Sequence, residues 1–122
     1  MKREVRQRLC RELKEFFAQR MAVSGDTEVE IVDDLILLRW KGALSPAEIE
    51  MGTMKAGRLL IQEVSDKICQ ELHPTLNSLL YRITGLHLLD VGVGLFWKRR
   101  EKIFLLTMSD TVGSTSNNNS HA

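Results

Sequence analysis

The side chains best able to do chemistry in this sequence are one cysteine–histidine pair and two adjacent aspartates. Cys69 and His73 lie four residues apart in a helical pattern, so they share one helix face, as a nucleophilic pair requires. Cys69 also belongs to the apolar side of that helix, where an unreactive thiol is the usual occupant. Asp33 and Asp34 separate two strand-like runs, where short acidic side chains are typical of a turn. These patterns favour a protein that is not an enzyme.

The histidines and glycines do not form a metal or cofactor motif. His73, His87 and His121 are widely separated, whereas a transition-metal site needs three or four converging ligands. Gly92 and Gly94 lie inside a strand-like run that no helix follows, so they do not make a phosphate-binding loop. We therefore predict that the chain binds neither a metal ion nor a cofactor.

Two arginines occupy positions where a charge needs an explanation. Arg39 interrupts the apolar run 35–40, and a guanidinium there must find a carboxylate, a ligand or the surface. Arg58 stands at the start of a long helical pattern. We expect each side chain to pair with Glu48 or Glu50. Alternatively, either arginine binds a small anion, which would make the domain an anion sensor.

Basic residues are concentrated in two places, although the net charge of the whole chain is only +1. Arg3, Arg6 and Arg11 belong to the first helix, and Arg99 and Arg100 belong to a charged turn. Such residues can simply solvate a helix face, or they can contact phosphates or an anionic membrane surface. A nucleic-acid-binding module that uses the first helix is therefore the alternative function, and its binding would weaken steeply with salt.

The elements that hold these residues are predicted to follow the order α-β-β-α-α-β-β in one α+β domain over residues 1–109. Apolar residues recur every three or four positions near the N-terminus and again over about 55–84, as in amphipathic helices. Residues 45–48 form a capping box that begins a short helix. Pro74 removes a backbone donor inside the long helix, so we expect a kink or a break there.

Two hairpins supply the strands, and we predict that they form one four-stranded antiparallel sheet with the helices packed on one face. Alternation places Leu89 and the odd-numbered residues after it on one side of the third strand. Gly92 and Gly94 fall on the other side, which suggests a close approach of a helix or a partner. Several strands are apolar on both faces, and one layer of helices cannot cover both. We therefore expect a homodimer.

The ends and the hydropathy of the chain indicate a cytoplasmic protein. Residues 110–122 are rich in Ser, Thr, Asn and Gly, and we predict that they form a disordered tail. No apolar run approaches the roughly 20 residues that span a bilayer, and the N-terminus does not resemble a signal peptide. Cys10 and Cys69 are expected to be separate free thiols.

Several short motifs together resemble those of the MpsC-like domain family, a group of small bacterial proteins of unknown function. The motifs are the run 31–39 (IVDDLILLR), the run 42–48 (GALSPAE), the pair 57–58 (GR) and the triplet 83–85 (ITG). The resemblance extends over roughly residues 2–109.

This resemblance implies a link to a sodium-translocating, membrane-potential-generating system that is connected with bicarbonate uptake. It identifies no catalytic residues. Together with the lack of catalytic motifs, it leads us to predict a non-enzymatic cytoplasmic interaction or regulatory domain. The expected partners are a second copy of the chain and a membrane ion or bicarbonate transport protein.

Overall fold

A computed structural model describes residues 2–21 and 26–112 of the chain. It contains three helices and four strands, at the places where the sequence shows apolar periodicity. The elements, in chain order, are α1 (Arg3–Met21), β1 (Thr27–Val32), β2 (Leu35–Trp40), α2 (Pro46–Met51), α3 (Lys55–Thr84), β3 (Leu88–Phe96) and β4 (Glu101–Met108). This is the predicted order α-β-β-α-α-β-β.

The two hairpins join into one antiparallel sheet with the strand order β1-β2-β4-β3, which confirms the predicted architecture. β2 and β4 are the central strands, and their register places Leu38 opposite Phe104 and Leu37 opposite Leu105. Asp33, in the turn between β1 and β2, has a positive φ of 55°, a conformation that Asp tolerates better than most residues. The two aspartates thus form the turn between β1 and β2, as predicted.

One face of the sheet carries the core. α1 and α3 both pack on it, and the ring of Phe17 from α1 lies 4.6 Å from the ring of Phe104 and 6.5 Å from that of Trp40. Cys69 and Leu76 of α3 belong to the same buried cluster. The buried side chains that the strands contribute are Ile36, Leu38, Trp40, Leu88, Val93, Phe104, Leu106 and Met108. The helices lie on one face of the sheet, as predicted.

The opposite face of the sheet, which we call the outer face, carries no helix in the described parts of the chain. Alternation in β2 and β4 directs Leu37 and Leu105 to this side, and Leu105 is 40% exposed. Gly92 lies opposite Leu105 on β3, where an added Cβ would meet no atom within 4 Å. The other outer-face residues are Glu28, Glu30, Val32, Leu35, Arg39, Asp90, Gly94, Phe96, Glu101, Ile103 and Thr107.

Two local features differ from the sequence-based expectations. α3 runs unbroken through Pro74, so the predicted break does not occur; Leu72 and Leu76 on either side pack against the core and hold the helix together. Leu89 is 62% exposed rather than on the core side. A register shift between Leu88 and Asp90 inserts one extra residue there, and Leu88 takes the buried position.

The packed chain extends beyond the predicted domain boundary at residue 109. Val112 is only 1% exposed, and its N–H donates to the carbonyl of Asp33 at 2.8 Å. A single apolar side chain in a polar segment carries no periodicity, so the sequence pattern does not reveal this anchor. Residues 113–122 of the predicted tail lie outside the described residues.

The junction between α2 and α3 explains two of the short motifs. Ser45 and Glu48 form the predicted capping box: the Ser45 hydroxyl accepts from the Glu48 N–H at 3.1 Å, and the Glu48 carboxylate accepts from the Ser45 N–H at 2.9 Å. Gly57 lies against the backbone of Met51, where an added Cβ would stand 1.9 Å from the carbonyl oxygen. A glycine is therefore what allows the start of α3 to cross the end of α2.

We predict that Gly57→Ala destabilises the domain by about 1–3 kcal/mol, because the new Cβ must displace the backbone of α2. Helix propensity alone would give the opposite sign, since Ala is the better helix former. Chemical denaturation measures the free energy of unfolding. Lys67→Ala, a change to alanine at an exposed position of the same helix, is the control, and its effect should stay within about 0.5 kcal/mol. Equal stability of Gly57→Ala and wild type would contradict the close crossing.

Candidate functional site

Arg39 forms a two-pronged ion pair with Glu101 on the outer face. Its Nε and one terminal nitrogen each donate to a different carboxylate oxygen, both at 3.1 Å. These hydrogen bonds favour the charged carboxylate, so Arg39 lowers the pKa of Glu101, and Glu101 raises the pKa of Arg39. The positive charge of Arg39 within the apolar strand β2 is thus neutralised by Glu101, the first residue of β4.

The prediction that Arg39 pairs with Glu48 or Glu50 is wrong, because these residues lie on different sides of the sheet. Arg39 faces outward, whereas the Glu48 carboxylate is 3.6 Å from the Nζ of Lys102. Lys102 follows Glu101 on β4, so its buried side chain points to the opposite face. Glu48 therefore both caps α2 and neutralises a buried lysine.

Arg39 also lines a hollow of about 230 Å³ on the outer face. Glu28 and Glu30 stand on the β1 side of this hollow, and Arg99 lines it as well. Glu28 forms an ion pair with Lys41, whose hydrogen bond lowers the pKa of Glu28. An anion in this hollow would face two carboxylates and would compete with Glu101 for Arg39. Anion binding by Arg39 stays a prediction.

Arg58 lies in a different place, at the junction of α2 and α3. Its Nε donates to the carbonyl of Gly52 at the end of α2, and its guanidinium carbon lies 5.5 Å from the centroid of the Trp97 ring. Its expected pairing with Glu48 or Glu50 is therefore also wrong. A hollow of about 490 Å³ at this end of the molecule is lined by Arg58, Leu95, Phe96, Trp97, Lys98 and Arg99.

Arg39 and Arg58 consequently do not converge on one site. Each already has an internal acceptor, a carboxylate for Arg39 and a backbone carbonyl for Arg58. Binding of a small anion by either arginine would use a separate hollow. The anion-sensor hypothesis stays a prediction for both.

Cys69 and His73 line a third hollow, of about 230 Å³, together with Asp90 at the edge of β3. Burial, followed by the negative charges of Asp66 and Asp90, raises the pKa of the Cys69 thiol to about 11. The thiol therefore keeps its proton at neutral pH and lacks the thiolate form that a nucleophile needs. This is the environment of an inert thiol.

The basic residues of the first helix are placed on its surface. Arg3, Arg6 and Arg11 are all exposed, and none of them forms an ion pair within the described residues. Arg99 and Arg100 are exposed in the turn between β3 and β4, which is a separate element. These positions leave the basic residues accessible to a phosphate or to water. Nucleic-acid binding by α1 stays a prediction.

Three further observations bear on what the molecule can bind. The described residues contain no group of three or more His, Cys, Asp or Glu side chains that could hold a metal ion. None of the helices within residues 2–21 and 26–112 is both long and apolar enough to cross a membrane. Cys10 and Cys69 are both free, the first half-buried and the second buried.

Two residues of these surfaces have no local signal in the sequence. Glu101 looks like part of a charged turn, yet it begins β4 and meets Arg39 across 62 positions of sequence. Trp97 looks like the end of a strand, yet its ring covers Gly52, where an added Cβ would stand 2.4 Å from a ring carbon. Only the Gly57-Arg58 pair, unusual at the start of a helix, hints at this second contact.

Comparison with known proteins identifies the family. One family model matches residues 1–110 of the 122-residue chain, a range that includes all the helices and strands, and the family is described as "Na+-translocating membrane potential-generating system (MpsC)". The chain belongs to the MpsC family. The resemblance drawn from its short motifs is thereby confirmed. No curated protein and no solved structure shows a significant match.

We predict that the ion pair between Arg39 and Glu101 makes the unfolding free energy of this MpsC family member depend on pH in the acid range. The folded-state pKa of Glu101 lies below its ordinary value of 4.5. The pair therefore stabilises the fold above that value, and its contribution is lost as the pH falls through the lowered pKa. Urea denaturation of wild type and Glu101→Gln, from about pH 7 to about pH 3, measures the effect.

The difference in unfolding free energy between these two proteins should shrink on acidification. Glu50→Gln is the matched control, because Glu50 is exposed and has no ion pair within the described residues. Its stability should follow that of wild type throughout. A difference between wild type and Glu101→Gln that does not change with pH would contradict the role of the pair.

We predict that the Cys69 thiol does not react with iodoacetamide in the folded protein at about pH 8, because its pKa is raised to about 11. Labelling of the Cys10→Ser variant, followed by mass spectrometry, isolates Cys69. Reaction should become rapid only after the protein is unfolded in urea. The reciprocal variant Cys69→Ser reports on half-buried Cys10 as the control. Rapid labelling of Cys69 in the folded state would revive the Cys–His nucleophile hypothesis.

Proposed function

We propose that this chain is a non-enzymatic cytoplasmic interaction domain, which pairs with a second copy of itself and acts with a membrane ion or bicarbonate transport system. The observation that carries the proposal is the open outer face of the sheet. The description of the family as a Na+-translocating system supports the transport part. The burial of the Cys69 thiol, which raises its pKa to about 11, supports the non-enzymatic part, because a protonated thiol is a poor nucleophile.

The centre of the outer face has the composition of a protein interface. Leu37 and Leu105 lie opposite each other in its middle, and Leu35 and Ile103 extend the apolar area along the same strands. The paired charges of Arg39 and Glu101 lie at one end of this area on the same two strands, and Glu28 and Glu30 lie beside it on β1. Gly92 leaves a depression beside Leu105 that a side chain from a partner can fill.

The charges around the outer face favour a second copy of the chain as the partner. Glu28 and Glu30 follow the β1 edge, and Arg99 lies in the turn at the other side of the same hollow. A two-fold axis brings a patch against its own copy, so an axis between these groups places the acidic edge of one copy near Arg99 of the other. Leu37 and Ile103, which line the same hollow, then lie near the axis.

We predict that Leu105→Lys converts the protein from a dimer to a monomer without unfolding it, because a charge is placed at the centre of a desolvated interface. Light scattering at micromolar concentration measures the mass, and circular dichroism checks the fold. Leu89→Lys is the matched control: the same change is made at a 62%-exposed leucine in the register shift at the start of β3, away from the apolar centre of the outer face. A wild-type protein that is monomeric under these conditions would exclude the dimer.

The same variants test the link to transport. In the native host, deletion of the gene should lower the sodium-dependent membrane potential, measured with a potential-sensitive dye, and the uptake of labelled bicarbonate. The wild type and Leu89→Lys should restore both quantities, and Leu105→Lys should restore neither. Unchanged potential and uptake after deletion would refute the transport role while leaving the dimer measurement intact.

A further inference from the structure

We infer that the junction of α2 and α3, with the neighbouring turn between β3 and β4, docks on the surface of an anionic lipid bilayer. We call this surface the junction patch. Its exposed apolar residues are Met51, Met54 and Leu59, and its cations are Lys55, Arg58 and Lys98. The inference goes beyond the proposed function, because lipid alone is the partner and neither the dimer nor a transport protein is needed to test it.

Contacts hold the β3–β4 turn against the α2–α3 junction. The Trp97 ring packs against Gly52 at the end of α2, and the Arg58 guanidinium lies over the same ring. The Leu44 N–H, just before α2, donates to the carbonyl of Arg100 in the turn at 3.2 Å. The turn is therefore fixed against the junction by both backbone and side-chain contacts.

The start of α3 does not follow the preferences that stabilise helix N-termini. Met54 occupies the N-cap position, makes no side-chain capping bond and is 70% exposed, although Ser, Thr, Asp or Asn is favoured there. Lys55 begins the helix and no acidic residue lies in its first turn, although the helix dipole favours an anion at this end. Because folding does not account for these two side chains, they point to a role at the surface.

The charge of the patch is suited to anionic headgroups. The cations Arg58 and Lys98 line the hollow of about 490 Å³, Arg99 lies at its border with the outer-face hollow, and no carboxylate lines it. Arg58 is held in place by the Gly52 carbonyl and the Trp97 ring, so its orientation is set before any ligand arrives. Cations beside a tryptophan and apolar side chains are the combination found where proteins lie on a lipid surface.

The exposed apolar side chains favour a bilayer over a small anion or a nucleic acid. Three of the ten large hydrophobic residues exposed in the described chain, Met51, Met54 and Leu59, belong to the junction patch. Met54 and Leu59 are 70% and 61% exposed, and flexible apolar side chains of this kind insert between lipid headgroups. A small anion would use only the hollow, and a phosphate backbone would make no use of methionines.

The test uses the full chain and sedimentation with phosphatidylcholine vesicles, either pure or with about a third of phosphatidylglycerol. We expect binding only to the anionic vesicles. Brominated lipid in the same vesicles should quench Trp97, while Trp40, which is buried in the core, should report no change. The double variant Met54→Ser/Lys55→Glu should bind at least about tenfold more weakly, since each cation near an anionic surface contributes about fivefold.

This variant separates docking from folding, because both substitutions improve the start of α3 and should leave the melting temperature unchanged or raised. The matched control, Leu89→Ser/Lys67→Glu, makes the same kinds of change at exposed residues away from the patch and should bind like wild type.

Three results would overturn the inference: no binding of the wild type, equal weakening by both double variants, or full competition by soluble glycerol phosphate. The second would indicate unspecific attraction of a cationic protein, and the third a small-anion site in the hollow. None of these results would alter the dimer or transport measurements.

Discussion

The pairing of β2 with β4 is the interaction on which the rest of the structure depends. It joins two hairpins that are separated in sequence by α2 and α3, and it makes them a single sheet. Both strands are apolar on both sides, so their pairing creates a core face and an outer face at once. The helices cover only the first. The hydrophobic effect that closes the core therefore also leaves an exposed apolar surface, on which the proposed dimer depends.

Two adjacent residues at the start of β4 show how the charges follow this arrangement. Glu101 faces outward to Arg39, and Lys102 faces the helix side, where Glu48 neutralises it. Neighbouring residues of a strand point to opposite faces, so each must find a partner from a different element. Together the two pairs connect β4 to β2 on one side and to α2 on the other. Charge pairing thus supports the same strand position that apolar packing selects.

The start of α3 combines a residue that the fold requires with residues that do not favour a helix start. Gly57 is required for a close backbone crossing, which has a clear role in folding. Met54 and Lys55, only a few residues earlier, satisfy neither the capping rule nor the dipole rule. Proteins of marginal stability can tolerate such residues where a surface has another use. The fold and the proposed lipid surface are therefore combined in this short segment, whereas the proposed dimer surface lies on the sheet.

The sequence by itself determined the order of the elements, the capping box, the bounds of the long helix, the one-sided packing of the helices and the family. All of these depend on local periodicity, on residues within one turn of each other, or on short motifs, and such signals do not need the tertiary structure. Of the candidate site, the sequence identified Arg39 and Arg58 as residues that need an explanation, but it assigned both to the wrong partners.

Only the tertiary structure decided those partners, because they are contacts between elements. Glu101 reaches Arg39 from 62 positions away, and Arg58 is held by a carbonyl and a tryptophan ring that come from two different segments. The register shift that exposes Leu89 is likewise set by pairing with β4. Register and long-range contacts arise when the strands assemble, and the spacing of residues along the chain does not predict them.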